Sequence, residues 1–151
     1  MTKLCSACLL GAKCRFDSKS KANKKIIELS KKETLIPVCP EHLGGLPTPR
    51  ESAGIHGGTG YDVLEGKATV RTVNNGTDVT ENFVKGANAV LQIAKCMNIK
   101  EVILKQKSPS CGCGKTWQLD DCFTNHIIDG DGVTTALLKK NSIKVIPEDV
   151  F

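Results

Sequence analysis

Residues 80–104, TENFVKGANAVLQIAKCMNIKEVIL, combine an amphipathic helix with a short apolar strand that follows it directly. The apolar residues of the first part recur at helical spacing: Phe83, Ala87, Val90, Leu91, Ala94 and Met97. Thr80 is a good N-cap, Asn98 ends the helix, and the buried strand is expected at 101–104. A helix that leads into an apolar strand indicates an α/β fold with a parallel sheet.

The rest of the chain supplies more elements of the same kinds. Apolar runs predict further strands at 4–10, 35–39 and 143–146, and periodicity predicts helices at 21–32 and 133–140. Alternation over 67–73, the turn signal Asn74-Asn75-Gly76 and residues 77–79 predict a β-hairpin. Segments 40–60 and 105–129 are expected to be long functional loops. The prediction is an α/β domain with a mostly parallel sheet, helices on both faces and a β-hairpin.

The chain is rich in cysteine. Eight of the 151 residues are cysteines, and the N-terminus has no hydrophobic signal-peptide segment. We therefore expect a cytoplasmic protein with reduced thiols, engaged in metal, cluster or thiol chemistry. The 40% apolar content excludes a disordered chain, and no apolar stretch is long enough to span a membrane. Dispersed lysines and few aromatic residues predict no nucleic-acid partner.

Three cysteines follow the ends of predicted parallel strands. Cys8 ends the first strand, Cys39 ends the second, and Cys111 lies in the loop after strand 101–104. Ligands of open parallel sheets bind beyond the carboxyl ends of the strands, so these thiols are expected to converge. The helix start Gly-Asp-Gly-Val-Thr at 130–134 opens near the same edge, where its backbone N–H groups could meet an anion.

The other five cysteines are interpreted one by one. Cys5 lies within a strand and is expected to be a small buried hydrophobe, and Cys96, inside the long helix, is expected to belong to the core. Cys14 could be a ligand, a second thiol near the site or a packed loop residue. Cys113 and Cys122 receive no definite role.

Polar residues beside the converging thiols favour an enzyme. Glu41 follows Cys39 by two residues, and Ser108 precedes Cys111 in a loop with proline and glycine. Three thiolates with one open coordination position fit a [4Fe–4S] cluster. Two alternatives stay open: a non-catalytic iron–sulfur or zinc-binding sensor module, and a metal-free thiol nucleophile. The histidines that could serve such a nucleophile are His42, His56 and His126.

Short motifs are distributed along nearly the whole chain: SACLLG at 6–11, CRFD at 14–17, CPE at 39–41, GGLPTPR at 44–50, GTDVT at 76–80, GA at 86–87, LK at 104–105, SPSCG at 108–112 and GDGVT at 130–134. In this order and spacing, the chain resembles the DUF523 family, whose characterised members are small thiouracil desulfidases. The combination is specific, although each motif alone is not.

The resemblance implies a single Rossmann-like, three-layer desulfidase domain over residues 1–151. It implies a [4Fe–4S] cluster held by Cys8, Cys39 and Cys111, with the open iron binding a thiocarbonyl sulfur that water replaces at carbon. Glu41 and Ser108 match the residues that assist proton transfer. The implied substrate is a small thiolated pyrimidine, such as thiouracil or a thiouridine nucleotide. An open cluster is oxygen-sensitive, so aerobically prepared protein is expected to lose it. The shared motifs also hold the predicted substrate-binding residues Arg50, Ser110, Gly132 and Thr134.

Overall fold

The computed structural model describes all of residues 1–151 and contains eight strands and five α-helices. The strands are β1 (Thr2–Ser6), β2 (Thr34–Val38), β3 (Ala53–His56), β4 (Thr69–Thr72), β5 (Glu101–Leu104), β6 (Lys115–Leu119), β7 (Asn125–Asp129) and β8 (Lys144–Pro147). The helices are α1 (Lys24–Ser30), α2 (Pro40–Leu43), α3 (Gly60–Leu64), α4 (Thr80–Cys96) and α5 (Val133–Lys140). Short 3₁₀ turns cover Ala7–Leu10 and Glu148–Val150.

The first sheet is parallel throughout and has the strand order β2-β1-β5-β8. Its strand residues alternate between two cores. Leu4 and Val102 face a core that also contains Val90 of α4 and Leu138 of α5, whereas Cys5 faces another core on the α1 side. Helices therefore cover both faces, and the predicted three-layer α/β fold with a mostly parallel sheet is confirmed.

A second four-stranded sheet has the order β4-β3-β6-β7. β3 pairs antiparallel with β4 and parallel with β6, and β6 pairs antiparallel with β7. The side chains of Ile55 and Val70 from this sheet pack against Phe83 and Ala87 of α4 and Val133 of α5. Helices α4 and α5 thus contact both sheets and join them.

Two local predictions were wrong, because the segments expected as loops, 40–60 and 105–129, contain α2, β3, β6 and β7. The predicted hairpin is confirmed in short form: residues 77–79 pair back antiparallel on β4 through the bridge between Arg71 and Asp78. The longer ladder of β4 is formed with β3. Of the strands inside the segments expected as loops, β3 has only four residues and β7 is largely exposed. Neither β3 nor β7 therefore shows a clear alternation of apolar and polar residues.

Cys96 corrects another prediction, because its side chain is exposed rather than part of the core. The buried face of α4 comprises Phe83, Gly86, Ala87, Val90, Leu91 and Ala94. Position 96 is two residues beyond Ala94, which is about 200° around the helix and therefore on the opposite side. The buried state predicted for Cys5 is confirmed, since it is 0% exposed.

Two glycines allow α2 to approach α4 at backbone contact distance. A Cβ atom at Gly86 would lie 1.9 Å from the carbonyl oxygen of Pro40, and one at Gly44 would lie 2.0 Å from the carbonyl oxygen of Asn82. The absence of side chains at both positions therefore sets the place of α2, which follows Cys39 and carries Glu41. No helix in the structure combines the length and apolar character that crossing a membrane would require.

Candidate active site

A cavity of about 530 Å³ lies at the carboxyl edge of the first sheet. Its volume is within the range of small-molecule sites. Cys8, Cys39 and Cys111 all line it, together with a fourth cysteine, Cys14. The structure therefore brings the three thiols that follow strand ends into one space, as the topology predicts.

Each of the three thiols follows a different strand of the first sheet. Cys8 lies in the 3₁₀ turn directly after β1, and this turn ends at Gly11 in a left-handed conformation with φ 102°. Cys39 is the N-cap residue of α2, immediately after β2. Cys111 lies in the loop between β5 and β6. Since β1, β2 and β5 are neighbours in one parallel sheet, their ends present these cysteines side by side.

The thiols are secluded from solvent. Cys8, Cys14 and Cys111 are at most 8% exposed, and Cys39 is half-buried with its Sγ 3.8 Å from the carbonyl oxygen of Cys14. Contact with the Cys14 thiol and burial raise the pKa of Cys39. Burial, followed by the nearby Glu41 carboxylate, raises the pKa of Cys111 to about 12. Thiolates at these positions therefore need a cationic centre, as metal ligation provides.

The donor set suits an iron–sulfur cluster better than a single ion. No group of three or more His, Cys, Asp or Glu side chains in the structure lies close enough together to hold a single metal ion. In a cluster each thiolate binds a different iron, so its ligands can be farther apart than those of one ion. A cavity lined by four cysteines and no histidine offers such a set.

The histidines are engaged elsewhere. His42 contacts the hydroxyl of Thr48, and His56 and His126 pair with Asp121 and Asp120, each at 2.8 Å. None of the three histidines lines the cavity. A metal-free thiol nucleophile would therefore lack the imidazole base that such catalysis uses.

Glu41 and Ser108, the predicted acid–base residues, face each other at the cavity wall. The Ser108 Oγ lies 3.5 Å from the Glu41 Oε1, at the outer limit of a hydrogen bond. The same Oγ accepts the backbone N–H groups of Ser110 at 3.1 Å and Cys111 at 3.2 Å. These bonds occupy both lone pairs of the hydroxyl, so its single proton is directed towards Glu41.

Arg50 lines the cavity and holds Glu41 in place. Its Nε donates to the Glu41 Oε2 at 2.5 Å, and its Nη2 donates to the Cys14 carbonyl oxygen at 3.0 Å. The side chains of Arg50 and Glu41 are only 8% and 17% exposed, respectively. Charge-assisted bonds of this kind are among the stronger hydrogen bonds in proteins. One guanidinium group thus links the Glu41 carboxylate to the segment that carries Cys14.

The other three residues predicted to bind substrate lie behind the cavity wall. Ser110, Gly132 and Thr134 are absent from its lining, and the hydroxyls of Ser110 and Thr134, both 0% exposed, bond to each other at 2.7 Å. The first N–H groups of α5 donate to loop carbonyl oxygens, such as Val133 to Pro109 at 2.8 Å. The expectation of a helix start open to an anion is thereby corrected, because the site loop occupies these donors.

Part of the cavity lining comes from residues that the sequence did not single out. Trp117 lies in β6 and Asn125 in β7, and both strands fall within the segment 105–129 that was predicted to be a loop. Cys14, for which the sequence allows several roles, also lines the cavity. The one feature of the sequence that pointed to it is the motif CRFD at 14–17. Basic residues complete the lining: Arg15, Lys21, Lys105 and Lys107.

The family model and a solved structure agree on one family. The family model of 2-thiouracil desulfurase matches residues 4–150. The chain is 46% identical over 146 residues to a protein of Bacillus subtilis (strain 168) described as uncharacterized protein YbbK, covering 97% of this chain and 95% of that protein. Among solved structures it is similar to the [4Fe–4S]-dependent thiouracil desulfidase TudS (DUF523Vcz), with a TM-score of 0.82 and 36% identity. That match covers 98% of this chain and 91% of the other.

Proposed function

Because the chain belongs to the 2-thiouracil desulfurase family, we propose that it is a [4Fe–4S]-dependent desulfidase that removes sulfur from a thiolated pyrimidine. The observation that carries the proposal is the convergence of Cys8, Cys39 and Cys111 with Glu41 and Ser108 in one cavity. The similar TudS is named a [4Fe–4S]-dependent thiouracil desulfidase, which supports both the cofactor and the substrate class.

Cys8, Cys39 and Cys111 are the proposed ligands of the cluster. They come from three adjacent strand ends, and three ligands leave one iron of a four-iron cluster open. When bound, the cluster supplies a thiophilic Lewis acid for the sulfur of the substrate. All eight cysteines are free thiols in the structure, which suits ligation in a reducing cytoplasm.

Glu41 and Ser108 carry the proton transfers. The net reaction is a hydrolysis: water adds its oxygen to the thiocarbonyl carbon, the carbon–sulfur bond breaks, and the sulfur leaves as hydrogen sulfide with both protons of the water. No electrons are gained or lost overall. Glu41 accepts a proton from the attacking water, and Ser108, whose O–H points to Glu41, relays a proton between the carboxylate and the substrate. Arg50 keeps the carboxylate oriented throughout.

The basic residues of the cavity favour a nucleotide over the free base. Lys105 pairs with Glu148 at 3.0 Å, and Arg15 lies 3.6 Å from Asp17. Lys21 and Lys107 line the cavity without an ion-pair partner. A phosphate group would supply that partner, because phosphate is a strong acceptor for cationic side chains. A thiouridine nucleotide is therefore the proposed natural substrate.

Anaerobic reconstitution of the full chain with iron and sulfide tests the cofactor. Iron–sulfur charge-transfer absorbance should appear, and Cys8→Ala, Cys39→Ala and Cys111→Ala should each reduce the iron bound. Cys96→Ala and Cys122→Ala are matched controls, because both thiols are exposed and outside the cavity. Absence of a cluster in the unaltered chain, or equal losses in the controls, would contradict the proposal.

Sulfide release tests the reaction itself. The reconstituted chain should release sulfide from a thiouracil and from a thiouridine monophosphate, with the lower KM for the nucleotide. Glu41→Gln should lower kcat by about 100-fold while keeping the iron content, as expected for lost acid–base catalysis. Ser108→Ala should lower kcat per bound cluster by about the same factor, and its turnover is divided by its iron content because the Ser108 Oγ also accepts the Cys111 N–H. Undiminished turnover in both variants would remove the acid–base assignment. Lys107→Ala should raise the KM only for the nucleotide.

A further inference from the structure

The start of α5 binds the loop that carries Cys111 through backbone hydrogen bonds. The backbone N–H groups of Gly132 and Val133 donate to the carbonyl oxygens of Gly112 and Pro109, each at 2.8 Å. The N–H of Thr134 donates to the carbonyl oxygen of Ser110 at 2.9 Å. The first N–H groups of a helix have no partner within the helix, so a neighbouring segment can be fixed by accepting from them. These bonds fix the loop as a whole.

Side chains hold the peptide groups on both sides of Cys111 itself. Its N–H donates to the Ser108 Oγ at 3.2 Å, and its carbonyl oxygen accepts from the Thr135 Oγ1 at 2.9 Å. Thr135 is 0% exposed and Cys111 only 6%. A threonine inside a helix commonly bonds to the carbonyl of the preceding turn. Here the hydroxyl bonds instead to a residue 24 positions away in the chain.

We propose that Thr135 is a positioning residue that fixes the backbone of Cys111 and thereby the direction of its thiol. The inference rests on the proposed function in that Cys111 is taken as a cluster ligand. Thr135 supplies the one donor to the Cys111 carbonyl oxygen in the structure. Replacing Thr135 by the isosteric valine leaves that buried oxygen without a partner, and the loop must shift to satisfy it. Substitution of a residue that orients a metal ligand in this way commonly lowers metal affinity 10- to 100-fold.

Three variants of the full chain separate positioning from general stability. Thr135→Val removes the hydroxyl, and Thr135→Ser retains it. Thr72→Val is the matched control, because Thr72 is also buried but its hydroxyl accepts from the N–H of Thr77 in the second sheet. The first measurement is the rate of iron loss from the reconstituted protein to a ferrous chelator. The second is the rate of Cys111 alkylation by iodoacetamide in the unloaded chain, followed by peptide mass spectrometry.

Thr135→Val should lose iron about 10-fold faster than the unaltered chain, whereas Thr135→Ser and Thr72→Val should not. Alkylation of Cys111 should rise by about the same factor in the unloaded Thr135→Val chain. Equal rates in Thr135→Val and the unaltered chain, or no rescue by Thr135→Ser, would overturn the inference. If Thr135→Val does not fold, Thr135→Ala provides the same comparison. A chain that binds no iron at all refutes the proposed function alone, because the alkylation rates still test the position of Cys111.

Discussion

Replacing Gly86 by alanine tests whether the close approach of α2 to α4 sets the catalytic geometry. The new Cβ would lie 1.9 Å from the Pro40 carbonyl oxygen, and ordinary contact begins at 3.4 Å, so the helices must separate by about 1.5 Å. Overpacking of this kind costs about 1–3 kcal/mol. Alanine is about 1 kcal/mol more favourable than glycine inside a helix, which offsets part of that cost. The net loss of stability is then only about 0–2 kcal/mol.

The effect on catalysis should be much larger than the effect on stability. Pro40 lies between Cys39 and Glu41, so a shift of α2 displaces a proposed ligand and the proposed base together. A misplacement of about 1 Å can lower a rate by about 100-fold. Urea unfolding of the full chain measures the first quantity, and sulfide release and iron content measure the second.

Asn88→Ala is the control for the Gly86 substitution. Asn88 lies on the exposed face of the same helix, so alanine there gains a few tenths of a kcal/mol in helix propensity without a clash. Its activity should be unchanged. A Gly86→Ala variant that is about 1 kcal/mol more stable than the original chain and fully active would refute the reasoning.

Three other measurements address separate features. At about pH 8, iodoacetamide should label the exposed Cys96 and Cys122 but spare Cys5. Burial, with a further effect of the Glu148 carboxylate, raises the pKa of Cys5 to about 12. The fraction of Cys5 present as thiolate is therefore about 1,000-fold lower. Labelling of Cys5 at the rate of Cys122 would contradict this. Hydrogen bonds from Thr80, with Arg71 nearby, lower the pKa of Asp78. The ionised Asp78 side chain therefore stabilises the folded state fully above the pKa of an unfolded aspartate, about 4. This contribution is lost as the pH falls through the lower pKa that Asp78 has in the folded state. Asp78→Asn should flatten the acid side of a plot of urea midpoint against pH, and an unchanged slope would speak against it. Trp117, the single tryptophan, lines the cavity, so its fluorescence should fall on titration with thiouracil; constant emission at saturation would place the substrate elsewhere.

The first sheet and its thiols could be predicted because their signals are local. Strands such as Glu101–Leu104 are continuous apolar runs, and in a parallel sheet the residues after strand ends must share one edge. Cys8, Cys39 and Cys111 therefore line one cavity although they are far apart in the chain. The roles proposed for Glu41 and Ser108 rest on the family resemblance, since a carboxylate near a thiol has no unique function.

The assembly of the second sheet could not be predicted because the pairing of β3 with β6, which joins its two antiparallel strand pairs, is non-local. β3 joins β6 through a register in which Ile55 lies opposite Gln118, and nothing in either four- or five-residue segment identifies the other. The same limit applies to Gly132 and Thr134. A glycine-rich helix start is a typical anion site, but only tertiary structure shows that the loop of Cys111 already occupies its donors.

The two sheets supply different parts of the cavity lining. The loops after β1, β2 and β5 supply all the cysteines of the lining, whereas Trp117 and Asn125 of the second sheet also line the cavity. The Asn125 amide is held only by a 3.4 Å bond to the Ala53 carbonyl oxygen, and its own Oδ1 has no partner. We therefore expect Asn125→Ala and Trp117→Leu to change the ratio of kcat/KM for nucleotide and free base, by about 10-fold where a base–aromatic stack is lost. Iron content should stay constant in both variants. Loss of iron from either variant would show that residues of the second sheet also affect cluster binding, and the division of roles between the two sheets would then be wrong.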